Sequence, residues 1–563
     1  MKTISSTLLL GGVALCSGCT TATEQNAKKN VLIIAIDDMG YSDLSSFGGE
    51  IETPNIDMLA KQGTRYTRFH ASSLSAATRS MLMTGVDNHL NGIGAMPPTA
   101  TTSQYLQPGY EGALNNRVAT VAEILKEQSG YHTFMVGKWH LGAKDETCPS
   151  ARGFDKSFTM LAGGASHFSN AFALFDYEVP VTFYREDGKI LDKLPDDFYS
   201  TRSYTEHALN YIENAPKDQP IFGYISMTAP HDPLHIIEEW SDKYKGVYDK
   251  GYDAIRKARH QRQIELGLIP ASTPFYPIEA RWEDLTAEQQ REQARTMEIY
   301  AAMIDYLDYS IGQIIDGLKR SGRYDDTLIF VISDNGANSK RSDEYPGNGG
   351  DYMSKNYNNS IENYGNPDSF IAQGKAWACV SNNPFSGYKE TMNEGGNCTP
   401  LIIAGGAFNR SMIDSESLIH VADIVPTILA QAGVEYSFAG RELAPLYGRV
   451  IDPLGVDIRG ESDVVCFEID GCKSVIKGYW KAMVNSPANG GDGVNWSLFN
   501  LKEDLAEMND LTKIHPEIKK ELLAEWESYA AEVGYVEAND VAAMSKLTPE
   551  EYYSFDPKNL EKF

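Results

Sequence analysis

The chain has 563 residues, of which 42% are hydrophobic, and it includes 31 Tyr and 21 Phe. This length exceeds one ordinary domain and the composition excludes an intrinsically disordered protein, so we expect a large body and a smaller unit. The formal net charge of −27 argues against nucleic acid as a partner, because that partner requires a basic face. It does not exclude an anionic substrate, since a local group of cations can lie inside an acidic protein.

The first residues have the pattern of a bacterial secretory signal. Lys2 precedes an apolar run at 8–15 that is too short to span a membrane, and small residues follow before Cys19. We expect residues 1–19 to form a signal peptide of the lipoprotein type, with Cys19 lipidated, followed by a linker at 20–29. Cys16 is a second candidate for the lipid, and ordinary cleavage without a lipid is the alternative. This pattern predicts a periplasmic or outer-membrane-anchored protein that meets the membrane only through its lipid.

Buried-type strands alternate with helices after this signal. Continuous aliphatic runs predict strands at 30–36, 133–136, 220–226 and 327–333. Thr120 and Glu123 form a capping box that predicts the start of a helix, and apolar residues at three- and four-residue steps predict another helix over 298–320. The alternation predicts an α/β fold over residues 30–455, with a large, mainly parallel or mixed sheet between layers of helices.

The pattern changes near residue 456. Short runs typical of antiparallel strands occur at 474–476, 479–484 and 496–501. Residues 516–532 predict an amphipathic helix, so we expect a smaller C-terminal α+β domain over 456–563. Cys466 and Cys472 flank a predicted hairpin, and the sequence leaves a disulfide and two free thiols equally open.

Acidic side chains follow two of the predicted strands. Asp37-Asp38 comes directly after the first strand, and Asp334-Asn335 follows the strand at 327–333. Because the carboxyl ends of parallel strands lie at one edge of a sheet, we expect these side chains to meet there. Hard oxygen donors of this kind favour Ca²⁺ ahead of Mg²⁺. Helix caps and Asx turns are the alternative use for such residues.

Cationic side chains occur at comparable places in the chain. They are Arg79, Lys138, His140, His231 and Lys389. Ser75 is predicted at the first turn of a helix with Arg79 one turn later, and both the helix end and the guanidinium would favour an anion beside its hydroxyl. Such a cluster would bind a tetrahedral oxyanion and supply proton donors to its leaving group.

These motifs, in this order, resemble those of the type I sulfatases of the alkaline phosphatase superfamily, and in particular the bacterial arylsulfatases. They are Ser75-x-Ala77-x-Arg79, Gly137-Lys138-Trp139-His140-Leu141-Gly142, Ala229-Pro230-His231, Ser333-Asp334-Asn335-Gly336, and Lys389 before Glu394-Gly395-Gly396. The likeness runs from about Val31 to the C-terminus, which makes 30–455 the expected catalytic domain and 456–563 the expected C-terminal subdomain.

The resemblance implies a covalent modification and a bound metal ion. Ser75 would be oxidised to formylglycine by a maturation enzyme of the anaerobic radical type. One Ca²⁺ ion would be held by Asp37, Asp38, Asp334, Asn335 and the oxidised Ser75.

The resemblance also implies a role for each cationic residue. Arg79 would hold the nucleophile in its reactive form. Lys138 and Lys389 would bind sulfate oxygens, and His231 with Lys389 would protonate the leaving alcohol. His140 would accept the proton in the second step.

The implied activity is hydrolysis of sulfate monoesters, which releases inorganic sulfate and an alcohol or phenol. Aryl sulfates and a sulfated carbohydrate are both expected substrates. A phosphomonoesterase or phosphonate hydrolase of the same superfamily is the enzymatic alternative, but the sequence lacks a convincing second set of metal ligands. The non-catalytic alternative is a lipoprotein that binds sulfated glycans through an unoxidised Ser75.

Overall fold

The computed structural model describes residues 29–538, apart from 97–100, 102, 105–106, 175–181, 346–347 and 456–457. The predicted signal peptide, the lipid-bearing Cys19 and almost all of the predicted linker lie outside these residues. None of the helices in the described part is long and apolar enough to cross a membrane.

The described strands include a central sheet, a two-stranded pair and a C-terminal sheet. In chain order they are β1 (Asn30–Ile36), β2 (Thr64–Tyr66), β3 (Phe69–His70), β4 (His132–Lys138), β5 (Lys156–Met160), β6 (Tyr184–Glu186), β7 (Lys189–Ile190), β8 (Ile221–Ser226), β9 (Thr327–Ser333), β10 (Leu401–Ala404), β11 (Met412–Asp414), β12 (Ile419–His420), β13 (Val464–Ile469), β14 (Cys472–Lys477), β15 (Trp480–Val484) and β16 (Ser497–Asn500). The central sheet has the order β11-β2-β10-β9-β1-β8-β4-β5-β6-β7, and β3 pairs with β12. Strands β9, β1, β8, β4 and β5 are parallel, whereas β10 runs antiparallel to β9. The predicted mainly parallel or mixed sheet is therefore confirmed.

Helices of the described residues cover both faces of this sheet, and the last of them covers the C-terminal sheet. They are α1 (Pro54–Gln62), α2 (Ser75–Thr84), α3 (Asn88–Asn91), α4 (Val121–Ser129), α5 (Ser200–Asn214), α6 (Glu238–Ser241), α7 (Gly251–Glu265), α8 (Ala287–Arg320), α9 (Tyr352–Asn356), α10 (Lys375–Ser381), α11 (Glu394–Asn397), α12 (Ile424–Ala432) and α13 (Pro516–Val533). The side chains of β1 alternate between two hydrophobic cores. Leu32 and Ile34 pack on the side of α1, α5 and α8, while Val31 and Ile33 pack on the side of α2, α4 and α12. Burial on both faces explains why this strand is apolar at successive positions.

Helix α8 is longer than the sequence predicts. It begins at Ala287 and not at 298, with a capping box between Thr286 and Gln289. Its first turns are polar and mostly exposed, so they carry no apolar periodicity for a sequence pattern to detect. The later turns pack on the sheet as predicted.

The C-terminal unit, defined as described residues 458–538, contains the antiparallel sheet β13-β14-β15-β16 covered by α13. This confirms the predicted α+β composition, while the domain boundary at 456 stays a prediction. Cys466 and Cys472 lie on the predicted hairpin as free, buried thiols. They cannot pair there, because Cys466 is opposite Val475 and Cys472 is opposite Ile469, which points the two thiols to opposite faces of the sheet.

Candidate active site

The predicted site residues meet at the carboxyl edge of the central sheet. Asp37 follows β1 and Asp334 follows β9, and these two strands are neighbours. Lys138 is the last residue of β4, and His231 follows β8, which lies between β1 and β4. The parallel arrangement therefore brings together side chains that are far apart in the sequence.

Ser75 is the first residue of α2, as the sequence predicts. Its side chain is buried, and its Oγ lies 3.0 Å from Asn335 Oδ1 and 3.4 Å from Asp37 Oδ1. The helix ends at Gly85, which adopts the left-handed conformation with φ 70°. The positive end of α2 therefore faces the acidic cluster through Ser75.

Each of the three carboxylates has a buried cationic partner. The pairs and their N–O distances are Lys138–Asp37 at 2.8 Å, Lys389–Asp38 at 2.7 Å and Arg79–Asp334 at 2.6 Å. Asn335 completes the group, since its Nδ2 donates to Asp38 Oδ1 at 2.6 Å. The near balance of charge explains how so many ionised groups are buried together, because an unpaired buried charge is strongly destabilising.

The cations keep the two adjacent carboxyl groups ionised. Burial raises the pKa of Asp37, but the charges of Lys138, His231 and Arg79 outweigh that effect, and the net pKa falls below its usual value. The pKa of Asp38 is also lowered, because His231 and Lys389 outweigh burial. Both groups are therefore anionic oxygen donors at neutral pH.

The two histidines of the site are in different surroundings. His231 has its Nε2 3.5 Å from Asp38 Oδ2, and its Nδ1 lies 2.6 Å from the carbonyl oxygen of Asp232. His140 has a buried Nδ1 without a hydrogen-bond partner among the described residues. Burial and the charges of Lys138 and Arg79 hold the pKa of His140 well below its usual value, so its imidazole is neutral at pH 7 and free to accept a proton.

Three non-glycine residues of this site have a left-handed backbone conformation. Asp38 has φ 63°, His140 has φ 58°, and Glu390, directly after Lys389, has φ 72°. A residue with a Cβ adopts this region at a cost of about 1–3 kcal/mol, and such residues cluster at functional sites. The backbone N–H of Asp38 donates to Asp334 Oδ1 and that of Glu390 to the carbonyl oxygen of Ser73, which holds these two positions.

The donor set fits a divalent cation. Asp37, Asp38 and His231 offer ligand atoms within 4.8 Å of one another, and Asp334 and Asn335 add further oxygen atoms next to them. Carboxylate and amide oxygens are the donors that Ca²⁺ prefers. The sequence predicts His231 in the same site as a proton donor, but not among the metal ligands.

Two further features of the site escaped sequence reasoning. A Cβ at Gly163 would lie 2.7 Å from His140 Cε1, and a Cβ at Gly164 would lie 3.2 Å from His231 Cε1, so this pair leaves room for both imidazoles. The two adjacent glycines could have indicated this in the sequence. The second feature is Asp232, which no sequence pattern singles out. Burial and the charge of Asp38 raise its pKa to about 7, and it accepts a hydrogen bond from Tyr345 Oη at 3.0 Å.

Comparisons with known proteins agree with this fold. The family model described as Sulfatase matches residues 29–434. The chain is 41% identical to an arylsulfatase of Klebsiella aerogenes over 434 residues, which cover 75% of this chain and 91% of the relative. It is 39% identical to an uncharacterized sulfatase of Schizosaccharomyces pombe over 536 residues, which cover 92% of this chain and 96% of the relative.

A solved structure shares the architecture. The crystal structure of Ps i-CgsB in complex with k-i-k-neocarrahexaose superposes on this structure with a TM-score of 0.65 at 20% sequence identity. The superposition covers 95% of this chain and 99% of the Ps i-CgsB chain. At this identity the likeness shows a common fold. Taken with the family model and the two close relatives, it shows that the chain belongs to the type I sulfatase family and is a sulfuric ester hydrolase.

Proposed function

We propose that this protein hydrolyses sulfate monoesters with oxidised Ser75 as the nucleophile and Ca²⁺ as the metal. The observation that carries the proposal is the position of Ser75 Oγ, which is buried at the start of α2 and 3.0 Å from Asn335 Oδ1. This places a single hydroxyl between oxygen donors suited to Ca²⁺ and cations suited to a sulfate group.

The metal would be held by Asp37, Asp38, Asp334 and Asn335, together with the modified Ser75. Bound there, it would orient the sulfate and polarise the attacking oxygen. Arg79 holds the carboxylate of Asp334, since its Nε and Nη2 lie 2.9 and 2.6 Å from one oxygen of that carboxylate. This two-point contact fixes the carboxylate and brings a permanent positive charge close to Ser75.

Oxidation of Ser75 to formylglycine would supply a hydrated aldehyde, whose second hydroxyl allows sulfate to be expelled after the first has attacked sulfur. A plain serine would instead keep a stable sulfate ester. His140 is suited to accept the proton of that second hydroxyl, because its imidazole is neutral and its Nδ1 is unpartnered.

Sulfate binding falls to Lys138 and Lys389. Asp38 and the neighbouring carboxylates more than offset the effect of burial on Lys389, so its pKa is raised and it stays charged. Burial outweighs the attraction of Asp37 at Lys138 and lowers the pKa of that ammonium group. Lys389 and His231 both contact Asp38, so they are together on one side of the site. The charged Lys389 is suited to protonate the leaving alcohol, whereas burial lowers the pKa of His231, which must be protonated to act with it.

The substrate class follows from similarity and not from the site itself. The name of the Klebsiella relative supports aryl sulfates as substrates, and the oligosaccharide bound in Ps i-CgsB supports a sulfated carbohydrate. We further propose that a maturation enzyme of the anaerobic radical type oxidises Ser75. The sequence of residues 1–19, with Cys19 at its end, supports export to the periplasm or the outer membrane.

The test is sulfate release from an aryl sulfate by the purified, matured protein. We expect Ser75→Ala to lower kcat by about 10³-fold or more, because it removes the nucleophile. Ser73→Ala is the matched control, since the buried Oγ of Ser73 has no hydrogen-bond partner in the part of the chain that the structure describes. Chelation should abolish activity, and added Ca²⁺ should restore it.

Three results would contradict the proposal. Full activity of Ser75→Ala would show that Ser75 is not the nucleophile. An unmodified Ser75 in the mass spectrum of the active protein would show that no aldehyde is needed. Faster turnover of an aryl phosphate than of the matching aryl sulfate would favour the phosphomonoesterase alternative.

A further inference from the structure

One carboxylate of the C-terminal unit accepts hydrogen bonds from both ends of the segment that contains Lys389. We define residues 386–394 as the Lys389 loop. Glu507 Oε2 accepts hydrogen bonds from Ser386 Oγ at 2.6 Å and from the backbone N–H of Glu394 at 2.8 Å. Asn393 Nδ2 adds a third donor at 3.2 Å. A side chain far along the chain therefore joins the two ends of a loop in the catalytic body.

Glu507 is itself held by a buried cation. Lys481 Nζ lies 2.9 Å from Glu507 Oε1 and 2.6 Å from Glu394 Oε1, and the side chains of Lys481 and Glu507 are 0% exposed. His70 Nε2 contacts the other oxygen of Glu394 at 3.0 Å. A buried ionic network with several hydrogen bonds fixes its members in one arrangement, and the loss of one member leaves an uncompensated charge.

A second contact from the same unit supports the loop. Asn485 Oδ1 accepts from the backbone N–H of Met392 at 2.7 Å, and Asn485 Nδ2 donates to Asn393 Oδ1 at 3.0 Å. At the tip of the loop, the backbone N–H of Lys389 donates to the carbonyl oxygen of Ala337 at 3.1 Å. The base of the loop is thus bound to the C-terminal unit, while its tip lies in the active site.

We propose that Glu507, fixed by Lys481, is a positioning residue that sets the place of the Lys389 ammonium beside Asp38. The inference rests on the proposed function, in which Lys389 binds sulfate and helps to protonate the leaving group. It makes the C-terminal unit a part of the catalytic apparatus, because the loop has the correct shape only when that unit is in place. A displacement of about 1 Å at a reacting group lowers rates by about 10²-fold.

The experiment compares two aryl sulfates that differ in their need for a proton. p-Nitrophenolate leaves readily, whereas phenolate depends more on protonation. We expect Glu507→Ala to lower kcat by about 10-fold on p-nitrophenyl sulfate and by about 10²-fold on phenyl sulfate, because general acid catalysis is worth about 10²–10⁴-fold. Glu507→Gln keeps an acceptor oxygen and should recover part of the loss. Equal losses on the two substrates would overturn the proposal.

A double-mutant cycle separates positioning from general damage. In a Lys389→Ala background, Glu507→Ala should change kcat by no more than about twofold, because the group that it positions is already absent. If the two losses multiply instead, Glu507 acts independently of Lys389 and the proposal is wrong. Glu521→Ala, which removes an exposed ion pair with Lys477 in the same unit, is the control and should behave as wild type.

Thermal unfolding of every variant identifies loss of fold. Should Glu507→Ala fail to fold, Asn485→Ala replaces it, since this change removes only the contacts to Met392 and Asn393. The same leaving-group dependence is expected from it, and its absence overturns the proposal. A wild-type protein that releases no sulfate would refute the proposed function, whereas an active wild type with multiplicative losses would refute only the role of Glu507.

Discussion

At the scale of single residues, the site depends on the absence of a side chain at Gly163. Gly163 leaves its space to the His140 ring, whose Cε1 and Nε2 would lie 2.7 and 2.9 Å from an added Cβ. Real Cβ atoms do not approach other atoms that closely, so a side chain here would move the imidazole. The proposed role of the neutral His140 as a base requires that its ring keep its place.

Gly163→Ala should therefore lower kcat by about 10²-fold with little change in KM, because it displaces a group that acts in the reaction and not in substrate binding. Steady-state kinetics on an aryl sulfate measure this. Gly349→Ala is the control, since an added Cβ there meets no atom of the described residues within 4 Å. A kcat equal to that of wild type would show that His140 tolerates the added methyl group and that Gly163 has no part in its placement.

At the scale of secondary structure, one helix provides the cap of another. Within the described residues, Thr53 at the N-cap of helix α1 makes no capping hydrogen bond through its side chain. Instead, Asp308 on α8 accepts from the backbone N–H groups of Ile56 at 2.8 Å and Asn55 at 3.1 Å. Burial raises the pKa of Asp308 to about 6, although these hydrogen bonds oppose the rise.

Asp308→Ala should reduce the free energy of unfolding by about 2 kcal/mol, because it removes the cap and leaves buried donors without partners. Urea unfolding measures the change, and kcat should stay close to the wild-type value. Asp316→Ala is the control on the same helix, since its side chain is 61% exposed. Equal stability of the two variants would contradict a capping role for Asp308.

The sequence was sufficient for the elements that follow a simple period. Strands β1 and β9 have the predicted bounds because their aliphatic runs are buried on both faces, and the capping box of Thr120 starts α4 as predicted. Ser75 likewise begins a helix. The first turns of α8 were not predicted, because exposed polar residues show no apolar periodicity. The hydrogen bonds of Asp308 to α1 and of Glu507 to the Lys389 loop were not predicted either, because they join residues that are far apart in the sequence and a local pattern contains no information about such contacts.

The acidic residues of the site, with Lys138 and His231, were predictable for a different reason. They lie at or after strand ends, and a parallel sheet brings such ends together whatever the length of chain between them. The partners of each charge were not predictable in this way. That Lys138 pairs with Asp37 while Lys389 pairs with Asp38 depends on side-chain packing at the sheet edge.

At the scale of the whole molecule, a buried histidine joins the C-terminal unit to the catalytic body. His89 on α3 contacts Asp87 Oδ1 at 3.0 Å and Glu468 Oε2, on β13, at 2.7 Å. Tyr529 of α13 donates to the other oxygen of Asp87 at 2.8 Å. Burial lowers the pKa of His89, but the hydrogen bonds and charges of Asp87 and Glu468 outweigh it and raise the pKa to about 9.

This raised pKa predicts a loss of stability in mild alkali. A group whose pKa is higher in the folded state stabilises the protein fully below its unfolded value, near 6.5, and this contribution disappears as pH rises through about 9. The change corresponds to about 3 kcal/mol. Urea unfolding between pH 6 and 10 should show this decline, and His89→Gln should flatten it. His515→Gln, at an exposed histidine, should leave the slope unchanged, and a decline that persists in His89→Gln would contradict the assignment.

The burial of Ser75 also constrains the order of events in the life of the chain. All residues of α2 are buried, and Asn335, which meets the Ser75 hydroxyl, is made 260 residues later. An enzyme that oxidised this side chain, as proposed above, would have to enclose it, which the folded sheet edge prevents. Under that proposal the oxidation would precede the pairing of β9 with β1, while residue 75 is still in an unfolded chain. A chain that folded before the oxidation would be well packed but would lack the proposed nucleophile.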